Sequence, residues 1–279
     1  MPATEIIPLP VEQSIEARRR DLAGRRLKQV GLGTLLLILT ALAAKVCGVN
    51  PVTFVTGIAK GLALLGLFFP PAWSDFPGLL QPMGVTVVMA LTATLLGTLL
   101  SVPCALAASS NVAPRWLCYT ARLFIGLERG MPEIILLLFM VAAFGLGAFP
   151  GLIALSISSI GMLAKLLADA TEEIEPQLLE SIAVTGASHA QVIRYAVVPQ
   201  ILPSLFANAL FRFEVNVRAS VLLGAVGAGG IGYELNIAIT ALEYRRATIA
   251  ILASLLLVLL SERVSDFFRA RILSGGQVL

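Results

Sequence analysis

The sequence is short of charge, of histidine and of paired cysteines, and each shortage closes a class of function. Only 13% of the 279 residues are charged, against about 25% in ordinary soluble domains, so water is the wrong solvent for most of the surface. His189 is the single histidine, which rules out a histidine-based triad or a multi-histidine metal site within one chain. Cys47, Cys104 and Cys118 lie in or beside apolar stretches with no C-x-x-C spacing and read as small packing residues. No lysine follows a glycine, so there is no phosphate-cradling G-K-[ST] loop. A net charge of +3 says little in itself, and nucleic acid is not an expected partner.

What is present is apolar. Hydrophobic residues make up 57% of the chain and the mean hydropathy is +0.89, so lipid is the natural surroundings. The length allows about six spans of roughly 20 residues in one all-α membrane domain, with no room for a second soluble one. Six cations (Arg18, Arg19, Arg20, Arg25, Arg26 and Lys28) precede the first apolar run. That run has no A-x-A cleavage site before Lys45, so it reads as an uncleaved first span over residues 30–49 with a basic segment 1–29 held on the cytoplasmic side. Residues 51–69, interrupted by Lys60 and followed by Pro70, Pro71 and Pro77, fit an interfacial helix and loop outside the membrane. Further spans are expected at 83–108, from about 125 with Glu128, Arg129 and Glu133 at its inner end, at 151–167, at 201–225 and at 247–261, with both termini inside. Gly147, Pro150 and Gly151 mark a hairpin, and a polar inside loop occupies 168–199. The membrane domain is thus 30–266, followed by a tail at 267–279.

The inside loop reads ESIAVTGASHAQVIRYAVVP from Glu180, with Gly186 six residues on and Pro199 thirteen beyond that. It resembles the EAA loop of bacterial importer permeases of the ATP-binding cassette class, E-A-A, three residues, Gly, nine residues, I-x-L-P; Ser181, Ile182, Ala196 and Val198 are conservative departures. A short helix ending at a glycine-permitted turn before a second helix makes a rigid knob that a soluble ATPase can grip and push. Glu180, Gly186, Ser188, His189 and Pro199 are its coupling candidates; the bland alternative is an amphipathic connector.

Residues 211–232, FRFEVNVRASVLLGAVGAGGIG, look like the phosphonate and phosphite branch of those permeases, in which R-x-E-x-N-x-R precedes G-x-V-G-A-G-G-I-G. The matches are Arg212, Glu214, Asn216, Arg218, Gly224, Gly227, Gly229, Gly230 and Gly232, and Arg129, Pro132 and Glu133 fit the branch's R-x-x-P-E. Read without the resemblance, charges at mid-bilayer cost about 2.5–3.5 kcal/mol on insertion scales and persist where they face a cavity or a partner. Glu214 and Arg218 share a helix face at i,i+4 with the acid first, the favourable order for an ion pair. Arg212 and Asn216 share the nearly opposite face and offer a cationic fork beside an amide for an oxyanion. The substrate pathway is assigned to these four, with pairing of Arg212 to an acid on another helix, Glu128 or Glu133, left open, as is a purely structural Glu214–Arg218 pair. Gly227, Gly229 and Gly232 also spell G-x-G-x-x-G, but no strand precedes them and Leu252 stands where a ribose-binding acid belongs; helix packing or an outer gate explains them better.

The resemblance implies an importer-permease fold in a bacterial inner membrane, surrounded by lipid, acting with a second copy of itself, two cytoplasmic ATPase subunits and an external binding protein that delivers phosphonate or phosphite. ATP is then used by the partner subunit and no cofactor by this chain. The alternatives are the same architecture importing another small solute such as an amino acid, and a membrane-embedded phosphatase.

Overall fold

The computed structural model describes residues 10–275; the ends of the segments expected at 1–29 and 267–279, residues 1–9 and 276–279, lie outside the described residues. The chain divides into a unit ending at Gly66 and a larger one beginning at Leu67. Among the described residues every regular element is helical.

The first unit holds α1 (Pro10–Val46) and α2 (Pro51–Leu67). The basic segment is no separate tail: α1 runs unbroken from it into the apolar stretch Lys28–Val46, because no proline interrupts residues 11–50 and Arg, Lys, Leu, Glu and Gln are good helix formers. Side chains of both helices, such as Leu37 and Val55, stand exposed.

In the second unit a 3₁₀ turn (Trp73–Asp75) feeds α3 (Phe76–Ala108), which starts seven residues before the expected span because Pro77 sits in its first turn, where a missing N–H costs nothing. Next come α4 (Arg115–Arg129), α5 (Glu133–Phe144) and α6 (Ala148–Glu172). After α7 (Pro176–Ala183) and the short α8 (His189–Val192), a π turn (Ile193–Val197) continues into α9 (Val198–Leu223). A second π turn (Gly224–Ala228) leads to α10 (Gly230–Thr240), in the segment expected as a glycine-rich loop, and α11 (Tyr244–Gly275) closes the unit.

Two expectations change. The polar connection set at 168–199 begins only at residue 173, because α6 continues to Glu172; within it α7 and α8 flank the turn at Gly186. The third crossing does not begin near residue 125: it is broken at residues 130–132, where Gly130 ends α4 and Pro132 caps α5. The two pieces, about 22 and 18 Å long, lie end to end along α6. Arg122 of α4 pairs with Glu172 at one end of α6, Glu133 meets Ser158 near its middle, and residues 145–147 turn back into its start. Neither piece alone reaches across about 30 Å of hydrocarbon; together they do. Besides these two pieces, five helical stretches among the described residues are long and apolar enough to cross (Lys28–Val46, Trp73–Ala108, Ala148–Glu172, His189–Ala228 and Tyr244–Ile272).

The core is a seam of small residues between α3 and α6 flanked by apolar clusters: Met89, Leu137, Leu155 and Leu223 belong to one, and Leu79, Ile231, Ile249 and Ala253 to another. Lipid tails are as apolar as leucine, so close packing rather than water exclusion holds such helices together. A side-chain carbon on Gly97 of α3 would collide with the Cβ of Ser159 on α6. Gly97→Val is therefore expected to cost about 1–3 kcal/mol and to lower the melting temperature of the detergent-purified protein, whereas Gly78→Ala, with nothing within 4 Å of its place, leaves it unchanged or higher.

Candidate functional site

The middle of α9 is enclosed by α3, α6 and α11, and its polar residues point three ways. Asn216 is wholly buried and donates to Thr94 Oγ1 of α3 (2.9 Å) and to Ser159 Oγ of α6 (3.0 Å). One turn away, Arg212 donates from Nε to Ser159 Oγ (2.9 Å) and from Nη2 to Ser158 Oγ (3.0 Å) and Glu133 Oε1 (2.9 Å). Ser158 in turn donates to the same Glu133 oxygen (2.7 Å). The remaining nitrogen, Nη1, meets only the thioether of Met162 (3.3 Å), a weak acceptor.

The fork that the sequence offers to an oxyanion is thus aimed inward and already holds a carboxylate. The Arg212 side chain is 4% exposed and that of Glu133 30%. Of the two readings left open for Arg212, the geometry matches pairing with an acid on another helix, and the acid is Glu133. Its position explains the broken crossing: Glu133 is the first residue of α5, where free backbone N–H groups favour a negative charge, and the break brings that helix start to the level of Arg212.

On another face, Glu214 is buried and accepts from Arg269 Nη2 of α11 (2.9 Å), while Arg218 stands farther off at 3.9 Å. The i,i+4 pair is present, but the nearer cation is one turned in from the last helix, which sequence spacing gave no means of finding. Arg218 is left 53% exposed, on the open stripe of α9 with Phe211 and Leu222.

The glycine run is consumed by close packing. Gly227, Gly229 and Gly230 all have positive φ (112°, 76° and 70°), so the chain can double back from α9 into α10. A Cβ on Gly224 would lie 2.5 Å from the Gly229 carbonyl, and one on Gly232 would strike the Val221 carbonyl. Gly227 accepts a hydrogen bond from the Gly147 N–H (2.9 Å) and Thr86 Oγ1 accepts one from Ile231 (2.9 Å), tying the turn to the outer ends of α6 and α3. Two helices flank the G-x-G-x-x-G run and the chain itself fills the space a pyrophosphate would need.

At the other end of the bundle, Glu180, Gly186, Ser188, His189 and Pro199 all lie on an exposed knob. Gly186 has φ +83°, the left-handed conformation that glycine adopts without strain. Ser188 donates its N–H to the side chain of Gln191 (2.7 Å), starting α8 with half of a capping box. The turn between α3 and α4 braces the knob's root: Ser110 and Arg122 both bond Glu172, and Asn111 Nδ2 reaches the Thr171 carbonyl (2.7 Å). This brace was not foreseen; the acid Glu172 at the end of a membrane helix was its only trace in the sequence.

Removing one member of a buried ion pair strands the other, at roughly 3–5 kcal/mol. Arg212→Gln is accordingly expected to lower the melting temperature of the purified protein, and Glu133→Gln added to it to recover part of the loss; equal melting curves for native protein and Arg212→Gln would show that the pair carries no stability.

Residues 97–274 match the family described as the binding-protein-dependent transport system inner membrane component. The chain is 34% identical over 256 residues to the putative phosphite transport system permease protein HtxC of Stutzerimonas stutzeri, covering 91% of this chain and 90% of that one. It is 33% identical over 270 residues to the phosphite transport system permease protein PtxC of the same organism, covering 95% and 97%. Among solved structures, an inward-facing conformation of the MetNI methionine ABC transporter superposes with a TM-score of 0.64 at 22% identity, over 72% of this chain and 99% of that one, a likeness of fold. On this agreement of fold and sequence the chain belongs to the binding-protein-dependent transport system inner membrane components, and is a multi-pass permease subunit of an ABC importer rather than an enzyme.

Proposed function

We propose that this permease subunit carries a small phosphorus oxyanion, phosphonate or phosphite, across a bacterial inner membrane as one of two identical copies, with its termini in the cytoplasm. An external binding protein hands over the anion, two separate ATPase subunits supply the energy, and this chain binds no nucleotide itself. The names of the relatives, both phosphite permeases, support the substrate class. The observation that carries the reading is Arg218: a guanidinium 53% exposed two residues from Asn216, which bonds to the middles of α3 and α6. Lipid at that depth disfavours a charge whose acid partner stands 3.9 Å off and is shared with Arg269, so this side chain faces water, an anion or a partner. Arg212, closed on Glu133, supports the pathway from behind.

The knob supplies the coupling. ATP-driven closure of the ATPases pushes residues 173–188, and α8 and the π turn pass the movement straight into α9.

The test is uptake of labelled phosphite and of a labelled phosphonate by proteoliposomes holding the whole complex. Arg218→Gln is expected to lower uptake at least tenfold while the ATPase still co-purifies, and Arg218→Lys to keep much of it; native rates with Arg218→Gln would remove this residue from the pathway. Cysteine crosslinking from Ser188→Cys or Gln191→Cys is expected to capture the ATPase, and a Ser188 position that reacts only with reagents added outside the cell would place the knob on the wrong side.

A further inference from the structure

One cavity between α4 and α6 is lined by more cations than acids. It measures about 150 Å³, and Arg122, Arg129 and Lys165 line it with Asp169 as the only acid. On α6, positions 158, 162, 165 and 169 follow at steps of four, three and four, and so share one face. Ser158 and Met162 at the top of that face touch Arg212, and Lys165 and Asp169 continue it toward the knob. The cavity thus lies on the cytoplasmic side of the Arg212–Glu133 pair.

The cations differ in what holds them. Arg122 is committed to Glu172 and to the Ala108 carbonyl (2.8 Å), and Lys165 to Asp169 one turn along. Arg129 makes no ion pair or hydrogen bond with the described residues. Its neighbour Glu128 lies with the stem of Arg129 over Gly161, close enough to feel its charge but in no hydrogen bond with it, and leaves one buried oxygen without a hydrogen bond. A guanidinium with an unused fork, at the rim of an ion-sized cavity with two further cations, suits a tetrahedral oxyanion.

Building on the proposed import of such anions, we propose that this cavity is a second oxyanion site in the inner half of the membrane, with Arg129 as its principal ligand and Lys165 beside it. Its occupant is a phosphorus oxyanion, either the transported ion on its way out or the headgroup phosphate of an inner-leaflet lipid.

Arg129 suits the test because its replacement removes no bond on which the fold relies. Labelled inorganic phosphate is equilibrated with the permease–ATPase complex in nanodiscs of phosphatidylcholine, and again with phosphatidylglycerol added. The native complex is expected to bind phosphate at two classes of site, one lost with Arg129→Gln and the other with Arg218→Gln, while Arg129→Lys retains the first within a few-fold. Loss of the Arg129-dependent class on adding phosphatidylglycerol assigns it to a lipid headgroup; its persistence assigns it to the free ion. Phosphate binding that is the same in Arg129→Gln as in the native complex overturns this site. Binding that depends on Arg129 but not on Arg218 leaves this site standing and removes the pathway proposed above.

Discussion

A single guanidinium in the middle of the bilayer sets the terms for the rest of this permease. Arg212 is closed off from solvent, and a buried charge persists only if it is paired and hydrogen-bonded. The surrounding helices are arranged to meet that demand. Glu133 supplies the counter-charge, Ser158 and Ser159 supply oxygens from α6, and the third crossing is interrupted so that the start of α5, electrostatically suited to an acid, falls at the right depth. Asn216 repeats the pattern without charge, linking α3 and α6 through Thr94 and Ser159. Four helices are therefore registered against one another by polar contacts at a single level, in a medium where apolar surface gives no preference for one register over another.

That level separates two regions with different work to do. On one side lies the doubled-back glycine turn between α9 and α10, where Gly224 and Gly232 leave no room for a Cβ. On the other lies the cationic cavity beside α4 and then the brace of Ser110, Asn111, Arg122 and Glu172 under the knob. The α9 helix runs unbroken from the foot of the knob past the ion pair to the glycine turn.

Much of this was legible in the residues. The charge-free runs give the crossings, the Glu180–Gly186–Pro199 spacing gives the knob with its turn at Gly186, and the i,i+4 spacing of Glu214 and Arg218 gives a pair. What stayed hidden was long-range. Glu133 lies 79 residues from Arg212 and Arg269 lies 55 from Glu214, and helical spacing reports only on partners within one element. The break at residues 130–132 carried a local signal, Gly130 followed by Pro132, but the longer charge-free run beyond it drew the hairpin to Gly147 and placed Glu133 at a membrane edge. The ends of α6 and α11 run past the expected apolar cores, because Glu, Lys and Arg flanking a span remain good helix formers.

The π turn at Ile193–Val197 sets the angular phase of the drive. It holds one residue more per hydrogen-bonded ring than the helices on either side, with the Val198 N–H reaching back to Ile193. Relative to an unbroken helix, that extra residue rotates everything before it by about 100°. The compass bearing of the knob around the α9 axis is therefore written in five residues, and a chain one residue shorter there would keep every side chain of the ion pair and yet point the knob about a quarter-turn away.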